Sequence, residues 1–305
     1  MADAIENSSA WAQLSDSLSQ TIEAMNGSVV AVYAGGRSTS SGVVWRPGLV
    51  VTTHSSLGGH ETAKVIHVGE PVTASVLGRD AGTDLAILRL PSEDLKPAEK
   101  IQRTDLRAGE IVLSVGRSRL GDISASCGII ARTGSAWRTS RGGQIDRLIR
   151  PDVFLYVGQS GSTLVDRHRR VIGINSQALA RLAVITIPAQ TIDRVVDAVL
   201  ERGHVPRPYL GIAMQPVPVP EAVRSLVPSE AENVLLITHV ASKGPGAQAG
   251  AMVGDLIIAA DGVPVHHVYD ILRRLADSRI GDNISLTLIR GGEKKEVVVT
   301  VADRD

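Results

Sequence analysis

One cysteine in 305 residues, Cys127, excludes an internal disulfide framework. A small side chain within a strand accounts for it more simply than a reactive thiol does. Aromatic residues make up only 3% of the chain, with a single phenylalanine, Phe154, so any core must rest on Val, Ile, Leu and Ala. Formal net charge is zero, which gives neither a nucleic acid nor an anionic membrane a reason to bind. The one dense basic run, Arg167-His168-Arg169-Arg170, is short enough to be a solvated hairpin turn. No run approaches the roughly 18 apolar residues of a membrane span. The stretch Met1–Gln20 has neither a basic leader nor an apolar segment, so as it stands the chain reads as cytoplasmic. Removal of an export segment would instead make it periplasmic or extracytoplasmic. His54, His60 and His67 lack metal-ligand spacing, and no metal or cofactor is expected.

What is present is β-rich. Hydrophobic residues supply 43% of the chain, enough for two or three domain cores at this length. Residues 8–26 place Trp11, Leu14, Leu18, Ile22 and Met25 at helical spacing, a stripe that stops at Asn26-Gly27. Short strand-like runs punctuated by turns follow: 28–34, 42–45, 49–53, 63–68, 74–77, 85–90, 111–115, 124–131, 163–165, 171–176 and 183–187. That spacing predicts a Greek-key barrel or sandwich. A helix over 192–202 stops at Gly203, and the two prolines of His204-Val205-Pro206-Arg207-Pro208 suggest a linker. Beyond it, runs at 234–240, 256–260, 285–290 and 296–301, with a helix over 269–276, make a second, smaller unit. The expected division is therefore an N-terminal helix (1–27), a β domain (28–203), a linker (204–208) and a C-terminal domain (209–305).

The chemistry concentrates in Gly158-Gln159-Ser160-Gly161, preceded by His54 and Asp84. A serine hydroxyl is a poor nucleophile until a base takes its proton. In the order His…Asp…Ser, His54 would be that base, Asp84 would orient the imidazole, and Ser160 would attack. Turn glycines allow the N–H groups of Gly158 and Ser160 to converge on a developing oxyanion.

The resemblance becomes specific at several stretches. Residues 48–54 (GLVVTTH), 78–88 (GRDAGTDLAIL), 158–161 (GQSG), 171–175 (VIGIN) and 194–197 (RVVD) resemble the HtrA (DegP-like) serine proteases. Residues 209–212 (YLGI), 246–251 (GAQAGA) and 254–257 (GDLI) look like the PDZ domain that follows the protease there. The resemblance implies a mainly β chain: a chymotrypsin-like double β-barrel protease domain behind an N-terminal helix, then a PDZ domain. It implies an ATP-independent serine endopeptidase for unfolded or damaged polypeptides. It also implies a PDZ groove in which Leu210, Gly211 and Ile212 N–H groups capture a peptide carboxylate beside Val268, Ile271 and Leu272. Relatives commonly form trimers through the N-terminal region. The helix bearing Trp11 and Leu14 would either make such a homotrimer contact or pack on its own barrel.

Three departures from the family pattern set up an alternative. The family reads T-x-x-H, whereas Thr52-Thr53-His54 leaves one residue between, and Ser55 stands where the histidine is expected. A deletion before His54 would keep it as base; a deletion near Val68-Gly69 would put Ser55 there. Strand parity favours the second alignment, because it keeps Leu57, Ala63, Val65 and His67 at positions where the family is apolar. Ser162-Thr163 replaces the usual glycine-proline after the nucleophile, and Ala183-Val184 replaces a glycine-rich pair near the specificity pocket, favouring small aliphatic P1 residues. The alternative is thus a pseudoprotease that binds peptides, assists folding or organises an assembly.

Overall fold

The computed structural model describes residues 10–35, 39–102 and 105–304, without the side chains of residues 276 and 277. It forms two compact units that divide between Val205 and Pro206. Each is built mainly from short antiparallel strands.

The first unit opens with helix α1 (Ala10–Ala24); residues 8 and 9 of the expected helix lie outside the described residues. Leu18 and Ile22 pack against the core and Met25 enters it, so the stripe docks the helix on its own domain. Trp11, at the other end, is 79% exposed.

Six strands then close into a barrel: β1 (Val29–Tyr33), β2 (Thr39–Arg46), β3 (Leu49–Thr53), β4 (Thr62–Ile66), β5 (Val72–Asp80) and β6 (Leu85–Arg89). Their order around the barrel is β1-β2-β3-β6-β5-β4. The β-branched runs explain this choice, since Val and Ile favour a pleated surface packed on both sides. Residues Val30, Val32, Val44, Val50, Leu57, Val65 and Leu88 fill the barrel interior. A one-turn helix, α2 (His54–Leu57), leaves the end of β3.

The second half of the unit has strands β7 (Ile111–Arg117), β8 (Ile123–Gly134), β9 (Trp137–Arg138), β10 (Gln144–Ile145), β11 (Leu148–Asp152), β12 (Thr163–Val165), β13 (Val171–Ser176) and β14 (Ile185–Pro188). Six of them form a sheet in the order β11-β8-β7-β12-β13-β14, and its end strands β11 and β14 touch. The pair β9–β10 is a separate hairpin. None of β9, β10 and β11 is anticipated from periodicity, because Arg132, Arg138, Arg147 and Arg150 break the apolar alternation. Cys127 lies on β8 and is exposed. Helix α3 (Ala189–Arg202) packs Ile192, Val195, Val196 and Val199 into the main core, and Gly203 ends it in the left-handed region.

In the second unit, β15 (Pro208–Tyr209) pairs with the last strand, β22 (Ala302–Asp303). The main sheet holds β16 (Ile212–Pro218), β17 (Asn233–Val240), β18 (Leu256–Ala260), β20 (Asn283–Arg290) and β21 (Glu293–Thr300), in that order; β19 (Val263–Pro264) pairs with β18. Helices α4 (Pro245–Gln248) and α5 (Val268–Asp277) complete it, with a 3₁₀ turn over Glu221–Leu226. Its core, including Leu235, Ile237, Ile257, Leu286 and Val299, is continuous and aliphatic. Arg290, half-buried, pairs with the buried Asp255 at 2.7 Å and ties β20 to the turn before β18.

Candidate active site

The nucleophile turn is held by glycines and by a buried glutamine. Gly158 and Gly161 adopt φ of +89° and +84°. A Cβ on Gly161 would lie 2.1 Å from the Ser41 carbonyl oxygen, so no other residue fits there. The Gln159 side chain is 2% exposed. Its amide donates to Ser124 Oγ at 2.7 Å, and its oxygen accepts the Tyr156 N–H at 3.0 Å. The Gln159 N–H is itself bonded to the Tyr156 carbonyl. Among the described residues, neither the Gly158 nor the Ser160 N–H is bonded to a backbone carbonyl, so both expected oxyanion donors remain available.

The substitutions after Ser160 are absorbed rather than disruptive. Ser162 is buried, and its hydroxyl lies 3.0 Å from Ser114 Oγ and 3.2 Å from the Asn175 amide. Asn175 in turn accepts from Thr186 at 2.7 Å. Thr163 donates to the Val115 carbonyl at 3.1 Å. A fully paired buried network of this kind stabilises one arrangement of the turn.

Arg117 supports the turn from behind. It is buried, and its guanidinium donates to the carbonyls of Val29, Asn26 and Gly121 and to Asn26 Oδ1. Its N–H donates to Ser41 Oγ at 3.0 Å, while the Ser41 N–H donates to the Ser160 carbonyl at 2.8 Å. Burial pulls the guanidinium's pKa below its ordinary value. Sequence reasoning misses this residue because a lone arginine in a strand carries no motif.

Asp84 is completely buried and sits at φ +59°, at the end of a turn held by Asp80. The Asp80 carboxylate accepts from the N–H groups of Gly82 and Thr83 and from the Thr83 hydroxyl. The Asp84 carboxylate is occupied as follows. Oδ1 accepts the Ser55 N–H at 2.8 Å; Oδ2 accepts the Ser55 hydroxyl at 3.1 Å and the Ser176 hydroxyl at 2.6 Å. Ser55 therefore holds the place beside Asp84 that the triad reading reserves for histidine.

His54 lies one residue back. Its N–H donates to the Asp84 main-chain carbonyl at 3.0 Å, but its side chain is bonded to neither Asp84 nor Ser160. Its Nδ1 is buried without a hydrogen-bond partner. Burial pushes the imidazole pKa below its usual value, against the opposing pull of Asp84.

The Ser160 hydroxyl is hydrogen-bonded to Thr53, with Oγ1 3.3 Å from Ser160 Oγ. Ser56 Oγ lies 2.7 Å from Thr53 Oγ1 and donates its proton to the Thr53 carbonyl at 2.8 Å. Each hydroxyl has a single proton, so Thr53 donates to Ser56 and is left to accept from Ser160. An alcohol oxygen can receive that hydrogen bond, but it cannot take the proton at neutral pH. Thr53, Ser56 and Ser176 all escape the sequence reading. Ser176 adjoins the quoted 171–175 stretch, which is the one signal that could have revealed it.

Between β11 and the segment before β14, Arg150, Phe154, Leu155, Arg181, Ala183 and Val184 line part of a cavity of about 620 Å³. Among the described residues no cluster of His, Cys, Asp or Glu could hold a metal ion. No described helix is long and apolar enough to cross a membrane.

In the second unit Leu210 is buried and Gly211 has φ +71°. The Gly211 carbonyl accepts from the Ala241 N–H and the Leu210 carbonyl from the Gly246 N–H. Helix α5 contacts β16. Of its three expected groove residues, Ile271 is 1% exposed and belongs to the core, because its position on the helix faces the sheet. Val268 is partly buried against that core, and Leu272 is 54% exposed.

Comparisons with known proteins agree with this architecture. A trypsin-like peptidase domain model matches residues 40–174, and a PDZ domain model matches residues 208–301. The serine protease Do-like HtrA of Lactobacillus helveticus is 32% identical over 282 residues, covering 86% of this chain and 68% of the relative. A probable periplasmic serine endoprotease, DegP-like, of Brucella suis is 30% identical, covering 85% of this chain and 51% of that protein. The chain thus spans about half to two thirds of these relatives' length. A serine endoprotease from Yersinia pestis superimposes with a TM-score of 0.69 at 25% identity, covering 94% of this chain and 98% of its own. The HtrA-type protease AlgW with a tripeptide gives 0.64 at 27% identity, covering 94% and 97%. With a trypsin-like domain carrying the serine turn and a PDZ domain in the family's order, the chain belongs to the HtrA family of serine proteases.

Proposed function

We propose that this chain acts on polypeptides as an HtrA-type serine endopeptidase, with Ser160 as nucleophile and the Gly158 and Ser160 N–H groups as oxyanion donors. The observation that carries this reading is the Ser160 turn: Ser160 is partly exposed, and both N–H groups are unengaged by backbone. Unfolded or damaged chains are the substrates this reading favours, because they expose the extended segments and free C-termini that a protease site and a PDZ edge strand each take up. Hydrolysis through His54 requires its imidazole to displace Ser55 from Asp84. The bulk of Ala183 and Val184 beside the cleft favours small aliphatic P1 side chains.

A second reading, a peptide-binding protein with chaperone-like or assembly function, is favoured by one observation. The Asp84 carboxylate is fully taken by Ser55 and Ser176, so the described site holds no base on Ser160. Labelling with a fluorophosphonate probe, beside Ser160→Ala and His54→Ala variants, separates the two. Labelling that disappears in both variants supports the endopeptidase with His54 as base. A folded wild-type protein that stays unlabelled leaves the second reading.

Self-association belongs to the same proposal. Trp11 and Leu14 remain exposed at the start of α1 while the rest of the stripe is docked, and a homotrimer contact would cover them. Light scattering should give a multiple of 32.2 kDa that falls to the monomer in Trp11→Glu. A monomeric wild-type protein would remove this part of the proposal.

A further inference from the structure

Strand β16 forms one edge of its sheet, with β17 as its sheet partner, and runs Ile212-Ala213-Met214-Gln215-Pro216-Val217-Pro218. Which of its backbone groups face outward follows from three hydrogen bonds. The Gly211 carbonyl accepts from Ala241 N–H, the Ala213 carbonyl accepts from the Thr238 hydroxyl, and the Val219 N–H donates to the Glu232 carbonyl. All three bonds point toward the β17 side. The register between the strands shifts once, between Ala213 and Met214, where β17 carries the extra residue Thr238. Alternation along β16 itself is therefore unbroken. Across a trans peptide the carbonyl of one residue and the N–H of the next point in opposite directions. The outward-facing residues are thus 212, 214, 216 and 218.

Two of these four are proline. Proline has no N–H, so the open edge offers donors only at Ile212 and Met214 and carbonyls alone beyond them. Prolines placed on an edge strand block continued pairing with another chain. Here they sit on the side where a peptide strand would add.

We infer that Pro216 and Pro218 limit this groove to the last three or four residues of a polypeptide C-terminus. The inference rests on the carboxylate-capture reading of the PDZ domain given above. In an antiparallel added strand the terminal carboxylate meets the N–H groups of Leu210, Gly211 and Ile212. The residue two before the C-terminus exchanges both hydrogen bonds with Met214. The residue four before it faces Pro216, which accepts one bond and returns none. Recognition is therefore of a free, short C-terminal tail, and upstream sequence is not read by the edge.

The test uses the full chain and acetylated peptides of three, four, six and eight residues, all ending Val-Leu-Val with a free carboxylate. Each competes against one fluorescent octapeptide. Affinity should rise from three to four residues and then stay within about twofold. In a Pro216→Val/Pro218→Thr variant the octapeptide should bind about fivefold more tightly than the tetrapeptide, from the ladder bonds restored. Steady tightening from four to eight residues in the wild type overturns the inference while leaving carboxylate capture intact. Equal binding of acid and C-terminally amidated peptides, or none at any length, overturns carboxylate capture itself and the inference with it.

Discussion

Replacing Ser55 by histidine should raise the rate at which Ser160 reacts with a fluorophosphonate by about a thousandfold. Ser55 already makes the contacts that a triad histidine needs on one side: its N–H lies 2.8 Å from Asp84 Oδ1 and its hydroxyl 3.1 Å from Oδ2. An imidazole there would donate one ring N–H to Asp84 and direct the other nitrogen toward Ser160. Asp84 would hold the tautomer and stabilise the imidazolium that forms. At present Ser160 donates to Thr53, an oxygen that cannot become its base. Loss of a triad base costs several orders of magnitude, so its installation recovers a comparable part. The check is the labelling rate of Ser55→His against wild type, with Ser55→His/Ser160→Ala as the control for site. A variant no faster than a wild type that already depends on His54 would show that His54 is the working base.

Substituting Gly161 by alanine should destabilise the first unit by roughly 2–5 kcal/mol. A left-handed backbone costs a residue with a Cβ roughly 1–2 kcal/mol, and forced overpacking typically a further 1–3. Both apply, because Gly161 has φ +84° and its Cβ would meet the Ser41 carbonyl oxygen at 2.1 Å and Thr52 Oγ1 at 2.9 Å. For a domain of this size the melting temperature should fall on the order of 10 °C. Gly203→Ala is the matched control, since Gly203 has φ +80° but nothing within 4 Å of its Cβ. It should cost only the backbone part. If the two variants melt together in thermal denaturation, the close approach of Ser41 to the nucleophile turn is not what requires glycine.

Both predictions concern a part of the chain that local pattern describes incompletely. Periodicity identified β3, β12, β13 and β18 to their ends, because β-branched runs between turn residues report their own conformation. It missed β11, where Arg150 interrupts the apolar run and pairing with Arg132 on β8 makes the strand. Ser160, the glycines around it and Asp84 were legible from type and order alone. Thr53, Ser56, Ser176 and Arg117 were not, since a serine or arginine in a strand looks the same whether it faces solvent or a buried carboxylate.

The sequence by itself determined the family, the order of domains and the pair of competing alignments around His54 and Ser55. It could not choose finally between them, because a residue's face depends on the strand it pairs with. Pairing of β3 with β6 sets Thr53 opposite Leu85, and the His54 N–H then falls on the Asp84 carbonyl, which turns Ser55 to the carboxylate. The same holds for Pro216 and Pro218. Their missing donors are written in the sequence, but only the bonds from β17 decide that the gap lies on the open edge.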